Sequence, residues 1–169
     1  MDVVLRASSV LLNTAQVERS RHGYLLYDEG MTTGVAHVVE ALDVERLALG
    51  NALGVEILPI AEALTATGLG PDGDVWTAVN GSFPLSEVSV RATDRALWHA
   101  EDVSFGLRTW IELGQQLAVT LPVMRAVVAL CDLSLGADSW NDGRSLADLG
   151  IDEMDAATLE YYLQFGGEA

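Results

Sequence analysis

The chain has 169 residues, and 9 basic side chains face 25 acidic ones, a formal net charge of −16 with histidine neutral. Half of the residues are apolar and a fifth are charged, which is too apolar for an acidic disordered tail and long enough to bury one core. All nine basic residues are arginines. Without lysine the chain forms neither a lysine Schiff base nor a P-loop phosphate contact, and its acidic surface repels nucleic acid and anionic lipid.

In chain order, residues 3–15 read as a first helix. Gly23-Tyr24-Leu25-Leu26-Tyr27-Asp28 is the best strand candidate, and a short one. Val35, Val38, Val39, Leu42, Leu49 and Leu53 then recur at helical spacing, with Thr32 or Thr33 able to cap the start and Gly54 able to stop the helix. Residues 60–67 look helical and 68–74 form a loop. A further helix is predicted over 105–117, with Leu107, Ile111, Gly114 and Leu117 on one side. The next runs from Pro122, capped by Thr120, to Leu135 before Gly136. Its only charges are Arg125 and Asp132, which predicts a position at the centre of the bundle. Asp155 caps a last helix through Leu159, Tyr162 and Leu163, closed by Gly166-Gly167. The expected fold is all-α, a multi-helix bundle with at most one short strand pair, residues 1–169 forming one helical domain with no nucleotide-binding domain. Residues 126–169 hold nine acids against Arg144 alone, which a solvated outer face explains.

Cys131 is the only cysteine, so no internal disulfide forms, and its apolar setting predicts a small buried hydrophobe. The N-terminus lacks the pattern of a secretory signal, and no stretch approaches the about 18 apolar residues of a membrane helix, so a cytoplasmic protein without membrane contact is expected.

Gly68, Gly70 and Gly73 spell G-x-G-x-x-G. That motif binds a dinucleotide only between a strand and a helix. Here the preceding segment looks helical, and Pro71, Asp72 and Asp74 oppose a diphosphate, so a plain loop is expected. His22, His37 and His99 stand apart from metal-ligand spacing, and no metal is expected. His99, Glu101 and Asp102 cluster. Partly buried, they could carry acid–base chemistry; the plainer reading puts Asp102 near the N-terminus of the next helix. Trp76, Trp98, Trp110 and Trp140 read as core, with Trp98 the best candidate for a pocket wall.

Several segments taken together resemble one family. They are Val10-Leu11-Leu12-Asn13 with Glu18; Tyr27-Asp28-Glu29-Gly30-Met31-Thr32; Val35 through Val38-Val39-Glu40-Ala41-Leu42-Asp43-Val44-Glu45-Arg46-Leu47-Ala48; Glu101-Asp102-Val103-Ser104-Phe105-Gly106-Leu107 with Glu112-Leu113-Gly114; Leu121-Pro122-Val123; and Gly143 through Gly150. In order they resemble the C-terminal domain of the octopine/nopaline (opine) dehydrogenases, itself similar to the helical domain of 6-phosphogluconate dehydrogenase. The resemblance implies an all-helical domain. It also implies enzymes that join a 2-oxo acid to an amino acid and reduce the imine with a nicotinamide cofactor carried on an N-terminal Rossmann domain, beyond which this chain would begin.

The resemblance implies a catalytic His in an N-P-x-x-H-P segment, paired with the Asp of the E-D motif. Asp102 matches that Asp, but Arg6 stands where the His belongs. Leu97 stands where an Arg would hold the oxo-acid carboxylate, and Trp98 resembles the Tyr that follows it. Arginine is no base near neutral pH. The first expectation is therefore a cofactor-independent enzyme of secondary metabolism, an isomerase, cyclase or lyase acting on an apolar intermediate. Asp102 would be its general base or acid and His99 its proton partner, with Arg6, Leu97, Trp98, Asn13, Arg95 and Glu101 lining the substrate site. Arg6 or Arg95 would take an anionic group. The rival is a non-catalytic helical subunit or binding protein, completed by a separate Rossmann-domain subunit that would make it an oxidoreductase, or self-associated as a homodimer over an uncovered apolar face.

Overall fold

In the computed structural model, which describes residues 2–166, the helix α1 (Asp2–Leu12) runs through the middle of the molecule. Val4, Leu5, Ala7, Ser8 and Ser9 are all buried, because it packs at once against α3 (Thr33–Ala52), against a π-helical segment (His99–Leu107) and against α9 (Pro122–Leu135). A predicted helix over 3–15 is instead broken at Asn13, where α2 (Thr14–Arg19) begins. The Asn13 side chain explains the break: Nδ2 donates to the carbonyls of Ser9 (2.8 Å) and Gly30 (3.2 Å), and Oδ1 accepts from the Tyr24 hydroxyl (3.1 Å). These bonds compete with the helical ladder and tie the chain reversal together.

The strand candidate shortens to β1 (Tyr24–Leu25), paired antiparallel with β2 (Ser89–Val90) in the register Tyr24↔Val90 and Leu25↔Ser89. Among the described residues this is the one sheet, and the architecture is all-α. α3 starts where Thr32 accepts from the Val35 amide and ends before Gly54, which has φ +68°. Of the stripe its spacing predicts it buries Val35, Val39, Leu42 and Leu49, while Val38 is half-buried and Leu53, also half-buried, lies just past the helix end.

Two acids on α3 also face inward and start other helices. Asp43 Oδ2 accepts from the amide of Ile60 (2.7 Å), the first residue of α4 (Ile60–Ala66), while its Oδ1 accepts from Arg46 Nε (2.7 Å). Glu45 accepts from the amides of Val123 (2.7 Å) and Met124 (2.8 Å) at the start of α9. Thr120 is therefore not the cap of α9. A buried carboxylate from another helix meets its unpaired amides and its positive dipole end.

Between α4 and α5 (Val75–Asn80) lies the glycine loop, closed by Asp74, whose carboxylate accepts from the Thr77 amide at 2.7 Å. The short α6 (Phe83–Ser86) leads to β2 and a 3-10 turn (Ala92–Asp94). Then α7 (Arg95–Trp98), the π segment and α8 (Arg108–Gln116) follow without a break, forming one continuous helix over 95–116.

α9 does not occupy the centre its composition predicts. It buries Met124, Val127, Val128 and Cys131 but leaves Leu130 and Leu133 exposed, the latter by 80%. Of the tryptophans, Trp98 and Trp110 pack against the core, whereas Trp76 and Trp140 are each 42% exposed and are not core residues.

α10 (Ser139–Asp142) and α11 (Ala156–Phe165) complete the chain, α11 capped by Asp155 on the Thr158 amide (2.8 Å). Of its predicted inner stripe only Leu159 is buried; Leu163 is exposed. The helix stops at Gly166, and Gly167 lies outside the described residues. The irregular run 143–155 is laced to α8 through its own backbone. Leu146 N donates to Glu112 (2.8 Å), Thr109 and Arg108 donate to the Arg144 carbonyl, and Gln116 Nε2 reaches the carbonyls of Ile151 (2.9 Å) and Met154 (2.8 Å). No helix among the described residues is long and apolar enough to cross a membrane.

Candidate functional site

The site is built on the nine-residue π segment in the middle of helix 95–116. The wider winding brings residues five apart over one another: Ser104 Oγ lies 3.4 Å from His99 Nδ1. Asp102 therefore sits within a helix, not near a helix N-terminus, because helical winding already begins at Arg95. Gly106 lets α1 approach closely; a Cβ there would lie 3.0 Å from Val3 Cγ1.

Toward α1, the Arg6 guanidinium grips Asp102 with two bonds, Nε to Oδ2 at 2.5 Å and Nη2 to Oδ1 at 2.7 Å. The same Nη2 reaches Glu101 at 3.1 Å, and the guanidinium carbon lies 5.0 Å from the centre of the Trp98 ring. Asp102 is 3% exposed. A carboxylate so buried needs a charged, geometrically matched partner, which a planar guanidinium provides.

Toward α9, His99 Nε2 bonds Asp132 Oδ1 at 2.8 Å, and because a carboxylate only accepts, Nε2 carries the hydrogen. Asp132 also accepts from the Ser139 hydroxyl (2.5 Å) and amide (3.2 Å), and the Ser104 hydroxyl donates to that of Ser139 (3.1 Å). The carboxylate that His99 bonds is thus Asp132, while Asp102 bonds Arg6, so the two members of the expected pair lean toward different helices. The signal for Asp132 was present in the sequence, as the lone acid of an apolar helix.

Between these two networks lies a small cavity of about 20 Å³, walled by apolar side chains of α1, the π segment and α9 together with Arg6, Trp98, His99 and Asp102. Arg95 lines it as well and is 6% exposed. Its Nη1 pairs with Glu18, its Nη2 donates to Ser134 Oγ (3.2 Å), and its buried Nε has no acceptor. The cavity wall also holds Cys131, whose thiol is pushed up to about 12 chiefly by burial.

Other candidate residues fall outside this constellation. Asn13 is occupied with the chain reversal described above, and Leu97 stands 60% exposed on the surface. Neither Arg6 nor Arg95 offers an unmatched charge to an anion, since Glu101, Asp102 and Glu18 already neutralise them. Glu18 and Ser134, unremarkable in the sequence as site residues, are the groups that position Arg95.

The G-x-G-x-x-G loop does not fit a nicotinamide dinucleotide: it joins helix to helix, and an aspartate already takes the amide at the start of α5. Among the described residues no group of three His, Cys, Asp or Glu side chains is placed to hold a metal ion.

The family described as NAD/NADP octopine/nopaline dehydrogenase, alpha-helical domain, matches residues 2–134, and the chain belongs to that family. An opine dehydrogenase of Arthrobacter sp. (strain 1C) is 28% identical over 159 residues, covering 94% of this chain and 44% of the relative. A solved octopine dehydrogenase, described with NADH and L-arginine, superposes over 100% of this chain and 48% of its own with a TM-score of 0.71 at 13% identity, a likeness of fold. The chain thus spans under half the length of either relative.

Proposed function

We propose that this chain acts as the ligand-binding helical half of an opine-dehydrogenase-type enzyme, with the nicotinamide nucleotide held by a separate domain, and that Asp102 serves in it as an anchor rather than as a proton carrier. The observation that carries this reading is the two-bond grip of Arg6 on Asp102. Both carboxylate oxygens accept from a guanidinium that stays charged at any working pH, which opposes use of Asp102 as a base. The position facing Asp102 holds a group that fixes geometry and moves no proton.

The surface beside the cavity supports the second half of the proposal. Leu12, Leu130 and Leu133 form an exposed apolar groove with Leu11, Thr14 and Ser134, and those last three also wall the cavity. An apolar rim next to a binding cavity suits the docking of another domain. The acid–base reading retains one observation, a cavity-lining His99 held by Asp132.

The test is the mass and NADH consumption of the particle that the chain forms in its own host. The expected result is an assembly containing a nucleotide-binding domain that oxidises NADH with a 2-oxo acid and an amine. A chain without such a domain that turns over a substrate, and loses that turnover in His99→Ala, would overturn the proposal in favour of acid–base catalysis.

A further inference from the structure

We infer that Arg95 is an exchangeable seat for the carboxylate of a small 2-oxo acid, filled in the free chain by the side chain of Glu18, which the acid displaces. This rests on reading the chain as the ligand-binding half of its enzyme.

The ion pairs of the fold differ in how firmly they are closed. Asp102 and Asp43 are themselves buried, and Asp43 also takes the Ile60 amide. Glu112, which pairs with the buried Arg108, also takes the Leu146 amide. Arg91, paired with Asp94, is an exposed arginine. Arg95 and Glu18 combine opposites: the arginine side chain is 7% exposed and the glutamate side chain 50%. Among the described residues Glu18 makes no other bond, and the second acceptor on Arg95 is the uncharged Ser134 hydroxyl. A buried cation thus takes its counter-charge from a group that already stands half in water. The interior needs a carboxylate at that point, but a long solvated side chain gains little by being the one that supplies it.

Placement favours exchange from outside. Glu18 lies one turn beyond Thr14 on the same side of α2, and Thr14 and Ser134 border both the cavity and the surface groove of Leu12, Leu130 and Leu133. The cavity, about 20 Å³, holds no more than a water molecule, whereas the groove encloses about 490 Å³. A ligand therefore sets only its carboxylate against Arg95 and keeps its body on the groove side. When Glu18 turns into solvent, one carboxylate replaces another. The ion pair on Arg95 is kept, no charge stays unpaired in the interior, and Glu18 regains its hydration. A neutral molecule offers Arg95 no such replacement.

Pyruvate and its neutral ester, methyl pyruvate, test the exchange on the intact chain, followed by the guanidinium N–H resonances of Arg95 and the amide of Ser134. Glu18→Ala empties the seat, and Glu18→Gln keeps its shape without the charge. Pyruvate should bind Glu18→Ala about tenfold more tightly than the unaltered chain, the difference made by one charge-assisted hydrogen bond, with Glu18→Gln between the two. Methyl pyruvate should not distinguish the three, and the gain should vanish when Glu18→Ala is combined with Arg95→Gln. In the unaltered chain, saturating pyruvate should move the Glu18 carboxylate carbon resonance to that of a solvated side chain, a readout that needs no variant. If Glu18 only stabilises the fold, its variants will lose stability with no gain for pyruvate over the ester, and the exchange is overturned. A Glu18 resonance that stays in place while pyruvate shifts Arg95 overturns it as well. The functional reading fails by a different sign, a native particle with no nucleotide-binding domain and no NADH consumption, so the two failures are told apart.

Discussion

Arg6 and Asp102, 96 positions apart in the chain, form a planar two-bond pair between the central helix and the π segment, with Nη2 to Oδ1 at 2.7 Å and Nε to Oδ2 at 2.5 Å. It joins the two elements that enclose the cavity, and it places a permanent cation against Asp102, where the resemblance read from the sequence leads one to expect a histidine.

That change can be measured by unfolding. Arg6→Ala leaves a carboxylate that is 3% exposed without its main partner and should cost about 3 kcal/mol in urea unfolding. Arg6→Ala combined with Asp102→Ala should cost less than the sum of the single changes, with a coupling of about 2 kcal/mol. A single-variant loss below about 0.5 kcal/mol would mean that the pair is not an anchor.

The start of α9 offers a second test. Glu45→Gln removes the negative charge facing that helix end and one of the two acceptors for Val123 and Met124. The expected loss is about 1 to 2 kcal/mol, and amide exchange at those two residues should quicken more than at the other end of the helix. Equal exchange at both ends would show that the carboxylate does not hold the start of α9.

These two carboxylates also mark where the sequence was readable and where it was not. Apolar spacing located α3, and the Thr32, Asp155 and Gly54 signals set helix ends correctly, because each depends on residues within one turn. Glu45 capping α9 and Asp132 holding His99 depend on contacts 78 and 33 positions apart, which no local pattern encodes. The π segment was missed for a related reason: apolar spacing averages over one extra residue per turn and cannot reveal a shift in winding. α9 was misplaced because an apolar helix was assumed to be covered on all sides, whereas Leu130 and Leu133 remain open. Within the site, family likeness supplied the juxtaposition of positions 6 and 102. It could not supply the counter-charges on Arg6 and Arg95, which come from residues that looked ordinary.

Cys131 gives a pH-dependent test. Burial raises its folded thiol pKa from 9.0 to about 12, so between those values the unfolded chain releases a proton that the folded chain retains. Stability contributed by the thiol is therefore complete below pH 9 and declines above it, by up to about 1.4 kcal/mol per pH unit. Cys131→Ala should flatten that alkaline decline. In the native protein, the thiol should also react with a maleimide at pH 8 only at the rate of unfolding. Rapid labelling of the folded protein would contradict the burial of Cys131.

The apolar groove is tested by charge. Leu133 is 80% exposed, so Leu133→Asp should change unfolding free energy by about 0.5 kcal/mol or less. If the groove docks another domain, the same substitution should release that domain and lower the mass of the native particle. An unchanged particle would place the docking surface elsewhere.

The lacing of residues 143–155 onto α8 has one further consequence. Ser139 completes the environment of Asp132, and the backbone beyond it takes up Thr109, Glu112 and Gln116. A chain cut before Ser139 would lose the partners of the very helix that carries His99 and Asp102. The irregular run 143–155 therefore works as an outer splint on that helix, and the bundle without it is not the unit that folds.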